Sequence, residues 1–134
     1  MQITSSTRLG IVLSLCLILS AHVEPTIRAQ PDWSGVAWIP FVSPPVKLRD
    51  IVQNVLLFVP FGYFLAVRCD ARWSKRCALA VVLVAAALSA ALEALQLFVP
   101  ERFPSTTDIV CNAAGAAIGL SILLFADSAR SPQA

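Results

Sequence analysis

Charge is scarce in this sequence. Ten basic and eight acidic residues make up 13% of the 134-residue chain, about half the roughly 25% usual in soluble domains. A water-soluble fold with so little charge would expose large apolar patches and aggregate. Histidine is nearly absent: His22 is the only one. Neither H-E-x-x-H nor G-x-S-x-G occurs, so the familiar zinc and serine hydrolase machinery is excluded. The four cysteines, Cys16, Cys69, Cys77 and Cys111, include no C-x-x-C spacing, which argues against a metal knuckle or redox pair and for packed thiols. A net charge of +2 without a long basic run gives no footing for nucleic acid.

Apolar length is what the chain does have. Its composition is 57% hydrophobic and its mean hydropathy is +0.76. Four apolar runs, 9–23, 51–67, 77–99 and 109–126, stand between polar segments. A membrane span needs about 20 apolar residues, with a range of ~17–25. The expected fold is therefore all-α: an integral membrane bundle of four transmembrane helices in a single domain, 1–126, with a short C-terminal tail, 127–134. The first run has 15 residues and also resembles a signal peptide, with Arg8 before it. No clean small-x-small site precedes Glu24-Pro25, and Leu15 is bulky where a lipobox ending in Cys16 needs a small residue. An uncleaved helix is the expectation.

The loops set an orientation. Arg68, Arg72, Lys75 and Arg76 fall within nine residues, and such a short basic loop is retained in the cytoplasm. Alternation then puts both termini in the cytoplasm of the inner (plasma) membrane. It places loops 24–49 and 100–108 outside. The longer loop carries Trp33 and Trp38, suited to an interfacial aromatic belt. Its prolines (Pro25, Pro31, Pro40, Pro44, Pro45) exclude a further long helix.

Polar residues inside spans face bundle interiors or cavities, and here they collect at one level. Asp50 and Asp108 open the second and fourth runs, as expected N-caps. Asn54 and Asn112 lie one turn deeper, about 6 Å at 1.5 Å per residue. Glu93 and Gln96, three apart, share a face near the far end of the third helix. Arg102 lies in the following loop. Chain alternation brings all of these to the same membrane face, whichever face that is. Glu93 is the most informative, because a carboxylate at that depth must be neutral or paired; Arg102, nine residues on, is the candidate partner. The cluster reads either as a ligand or acid/base site or as interhelical polar glue, worth about 0.6–2 kcal/mol per bond. Gly115 and Gly119, with the alanines of the third helix, are expected to draw helices three and four together. Pro60 and Gly62 are expected to loosen the second helix.

The ordered pattern Ile39-Pro40-Phe41, Asp50-x3-Asn54-x3-Phe58-x-Pro60-x-Gly62, Glu93-x2-Gln96, Arg102, Asp108-x3-Asn112-x2-Gly115-x3-Gly119 resembles the VanZ-like family of small bacterial membrane proteins. The likeness covers about 39–119. The family's namesake is associated with resistance to teicoplanin, a glycopeptide that binds cell-wall precursors, and its biochemical activity is not established. The resemblance implies a polar site at Asn54, Glu93, Gln96, Arg102, Asp108 and Asn112. The expected function is an outward-facing site that binds or modifies a lipid-linked or glycopeptide-related envelope ligand. In it Glu93 is the acid/base candidate, Arg102 the anion holder, Asp108 an accompanying carboxylate, and Asn54, Gln96 and Asn112 the orienting amides. Membrane lipids are the expected partners, and no metal or cofactor is expected. The alternatives are a non-catalytic accessory or scaffold and a small oligomeric transporter.

Overall fold

In the computed structural model, residues 5–22, 26–42, 46–69 and 74–130 are described. Arg72 of the basic loop, Pro25, Pro44 and Pro45 of the long loop, and the side chains of His22 and Arg130 lie outside the described set. The described residues form four helices: α1 (Ser5–His22), α2 (Leu48–Arg68), α3 (Lys75–Gln96) and α4 (Thr106–Arg130). No strand occurs among them; Ala37 and Ser105 make one isolated bridge. Helices α2, α3 and α4 are long and apolar enough to cross a membrane, and α1 is shorter.

Each helix starts two to four residues before its apolar run, and at two C-termini the difference is three residues or more, each for a physical reason. Helix α3 stops at Gln96 instead of continuing to Val99. Pro100 disfavours helical backbone at Val99. The carbonyls of Leu97 and Phe98 instead accept from the backbone N–H groups of Asp32 and Arg28, at 2.8 and 2.6 Å. Helix α4 continues past Ala126 to Arg130, because the polar Asp127 and Ser128 need not leave a helix that is emerging from lipid. The Ser128 hydroxyl donates back to Leu124 O at 3.0 Å.

Two expected caps are corrected. Helix α2 has Lys47 at its cap position without a side-chain bond, and Asp50 sits in the first turn. Helix α4 begins after Ser105, whose Oγ accepts from Thr107 N at 3.2 Å; Asp108 is likewise a first-turn residue. Both carboxylates still face the positive end of a helix dipole.

The centre of the bundle is the contact of α2 with α4. A Cβ on Gly115 would meet the Val55 carbonyl oxygen, and one on Gly119 would meet the Val59 carbonyl oxygen. From the other side, a Cβ on Gly62 would meet the backbone of Ala116. The rising register, 55 with 115 and 59 with 119, makes the two helices parallel. The Gly115/Gly119 face therefore turns to α2, not to α3 as the alanine-rich sequence of α3 suggested. The reason is the small partner at Gly62, which lets backbone meet backbone. Pro60 sits within α2 without ending it. Helix α1 runs antiparallel to α2, with Gly10 against Phe64. Its Ile18 enters a core with Phe58, Phe61, Ala85, Leu92 and Ala116.

The long loop folds over one end of the bundle. Ala37 N donates to Pro104 O at 2.9 Å, and Thr106 N returns to Ala37 O at 3.1 Å. Arg28 and Asp32 form an ion pair at 2.6 Å. The Ser34 hydroxyl and N–H, then Arg28, hold the exposed Asp32 carboxyl down at about 2. Trp33 and Trp38 stack with ring centroids 6.3 Å apart and stay exposed, with Ile39 and Phe41 beside them.

Gly119→Ala should force the α2 and α4 backbones apart and cost about 1–3 kcal/mol, seen as a lower melting temperature in detergent. The same methyl-scale change at Ala114, an exposed position of α4, should leave it unchanged. Equal melting of both variants would contradict the packing.

Candidate functional site

The antiparallel packing of α1 on α2 and of α3 on α4, with α2 parallel to α4, brings four helix ends and two loops to one face. Those ends enclose a cavity of about 450 Å³. Helix α2 supplies Asp50, Gln53 and Asn54, one above another on its first two turns. Helix α3 supplies Gln96, its last residue, and α4 supplies Asp108. The turn between α3 and α4 adds Glu101, Arg102 and Ser105, and Lys47 stands at the rim. Ala21 and Leu57 form an apolar wall on the α1–α2 side.

Of the residues singled out from sequence, Asn54, Gln96, Arg102 and Asp108 thus line one cavity. Gln96 is only 6% exposed, yet its carboxamide makes no hydrogen bond among the described residues. Its depth explains the placement: it is the last helical residue before the chain turns back under the long loop. Arg102 and Asp108 each have an interaction of their own.

Glu93 and Asn112 are not in the cavity wall. Glu93 is 5% exposed, and its Oε2 accepts from Ser105 N at 2.7 Å. The sequence spacing offered Arg102 as its partner; the bond goes instead to the backbone. Arg102 and Asp108 remain within electrostatic reach of Glu93. Glu93 thereby caps α4 from a neighbouring helix, taking a position that a third-residue carboxylate usually fills in a capping box. Asp108 is that third residue, and it is left to face the cavity.

Asn112 is fully buried. Its Nδ2 donates to Ser89 Oγ at 2.8 Å, which ties α4 to α3. Ser89 is a site residue the sequence reading missed, although its position one turn before Glu93 on the same face of α3 was legible. Glu93 Oε1 and Asn112 Oδ1 are buried without a hydrogen-bond partner among the described residues, so this seam has unused acceptor capacity just below the cavity.

Glu101 was also missed, and no sequence signal marks it. It holds a left-handed backbone, φ 63°, a conformation that costs a non-glycine residue of order 1 kcal/mol. Thr106 and Thr107 complete the loop clasp. Thr106 Oγ1 donates to Ala37 O at 3.0 Å and to Trp38 O at 2.9 Å, and Thr107 Oγ1 accepts from Phe41 N at 2.9 Å. Among the described residues no group of three or more His, Cys, Asp or Glu is placed to hold a metal ion.

Glu93→Ala should leave Ser105 N–H buried without an acceptor, at about 1–3 kcal/mol, and lower the melting temperature. Glu93→Gln keeps an acceptor oxygen and should melt within a few degrees of the parent. Equal loss in both variants would show that charge, not capping, is what Glu93 contributes.

No curated protein and no solved structure matches the chain. A family model does match, over residues 6–127. Nearly the whole chain, with its three span-length apolar helices and its polar end, is thereby accounted for: it belongs to the VanZ/LLP1 family.

Proposed function

We propose that this protein is a four-span inner-membrane protein whose cavity opens to the outer leaflet and binds the polar head of a lipid-linked cell-envelope ligand. The observation that carries this is Gln96. Gln96 is a buried residue whose carboxamide lines the cavity and makes no hydrogen bond among the described residues, so its donors and acceptor are open to whatever enters. A ligand of 450 Å³ or less with hydroxyl, amide or charged groups would bond to them. Arg102 holds an anionic group of that ligand, Asn54 and Gln96 orient it, and Asp108 sets its polarity. The apolar wall at Ala21 and Leu57 receives the first carbons of a chain. Glu93 and Asn112 support the floor from behind; acid/base chemistry at Glu93 would require the ligand to reach past Ser105.

One feature supports α1 as the fourth span: the hydroxyls within its apolar stretch are satisfied by the helix itself, Ser14 Oγ donating to Gly10 O at 2.7 Å and Ser20 Oγ to Leu17 O at 2.9 Å, as lipid demands. Arg68, Lys75 and Arg76 sit at the end of the bundle remote from the cavity, so the positive-inside rule turns the cavity outward.

Mass spectrometry of the purified protein tests the binding. A lipid-linked species should copurify with the parent and be lost from Gln96→Leu and Arg102→Gln at normal protein abundance. Loss of the protein itself in both variants would favour polar glue instead. Orientation has its own check. Cys77 should react with an impermeant thiol reagent only after the cytoplasmic side is opened, and labelling of intact cells would reverse the assignment.

A further inference from the structure

The charges around the cavity are of both signs, and three of them are unspent. Lys47, Asp50 and Glu101 line it and make no ion pair among the described residues. Arg102 and Asp108 add one charge of each sign. A purely anionic head would meet three carboxylates, and a purely cationic one would meet a lysine and an arginine; either mismatch costs affinity. A head that carries both signs meets neither penalty.

Resting on the proposal above, we infer that the ligand's head is zwitterionic: an aminoalkyl phosphate, with its phosphate toward Lys47 and Arg102 and a primary ammonium toward Asp50 and Glu101. The buried Gln96 supplies an independent pointer. Its carboxamide offers an acceptor oxygen to an ammonium hydrogen and N–H donors to a phosphate or ester oxygen. Asn54, one turn below Asp50, does the same. A primary ammonium has three hydrogens for such acceptors, whereas a quaternary ammonium has none and needs an aromatic cage. The cavity wall contains one aromatic residue, Phe103, so the primary amine fits and the quaternary one does not. The left-handed Glu101 is consistent with this, since its strained backbone carries a charge to the wall.

The full-length protein in neutral detergent tests this by thermal melting with added lipids: phosphatidylethanolamine, phosphatidylcholine and phosphatidylglycerol, and free phosphoethanolamine. Phosphatidylethanolamine should raise the melting temperature and bind roughly tenfold more tightly than phosphatidylcholine, the worth of one hydrogen bond to a charged group. Asp50→Asn, a conservative change at an exposed position, should erase that preference while keeping phosphate-dependent binding; Glu101→Gln should weaken it. Equal or stronger binding of phosphatidylglycerol, or an unchanged preference in Asp50→Asn, overturns the zwitterion and leaves the lipid-binding proposal standing. No shift with any lipid overturns both. Free phosphoethanolamine binding as tightly as the lipid upholds the head chemistry and overturns the lipid as its source.

Discussion

The backbone contact between α2 and α4 governs the arrangement of everything polar in this chain. Hydrocarbon gives helices no hydrophobic reason to associate, since lipid tails are as apolar as leucine. What remains is close packing and weak polar contact. Gly115 and Gly119 meet the carbonyls of Val55 and Val59, and Gly62 meets Ala116, at distances only glycine allows. Such repeated Cα-to-carbonyl contacts add a modest attraction of their own. The register they fix is parallel, so the N-termini of both helices emerge at the same face. Two parallel dipoles side by side repel, and an acidic residue in the first turn of each, Asp50 and Asp108, offsets the two positive ends. The carboxylates at the cavity are therefore a consequence of the glycines deeper in the bundle.

Helix α3 enters this scheme through hydrogen bonds as well as packing. Asn112 reaches Ser89 and Glu93 reaches Ser105, one bond within the seam and one at its end. The second satisfies an amide at a helix start, which in lipid has no water to turn to. The same seam keeps two acceptor oxygens unused, so its polarity exceeds what tying two helices together requires.

The sequence made the level of the polar residues legible but not their partners. Chain alternation alone brings Asp50, Asn54, Gln96, Arg102 and Asp108 to one face, and all of them line the cavity. Alternation fixes depth along a helix, however, and not the direction a side chain faces. Asn54 and Asn112 occupy equivalent places in α2 and α4, each one turn below its carboxylate. Asn54 faces the cavity because α2 borders it; Asn112 faces α3 because α4 packs between α2 and α3. The small-residue motif was legible as a packing face, but its partner depended on Gly62, whose role against Ala116 only the assembled bundle reveals. Glu93 was legible as a costly carboxylate. Its bond to Ser105 was not, because that depends on α3 ending at Gln96 and the chain turning back within nine residues.

The cavity's unspent charges bear on what kind of site this is. Polar glue works by pairing: each group exists to satisfy another, as Asn112 does with Ser89. A cluster selected as glue would spend its charges internally, because an isolated charge near hydrocarbon costs more than the bond it replaces is worth. Glu93 and Asn112 are buried and mostly follow that rule. Asp50, Lys47 and Glu101 do not. They sit at the mouth, where water lowers the cost of leaving them apart, and one of them is held there on strained backbone. The strain at Glu101 subtracts from stability, and the exposed charges of Lys47 and Glu101 add nothing to the bundle's packing. Their common location around Gln96, which lines the cavity and makes no side-chain hydrogen bond among the described residues, is better explained by something that enters the cavity than by the fold itself.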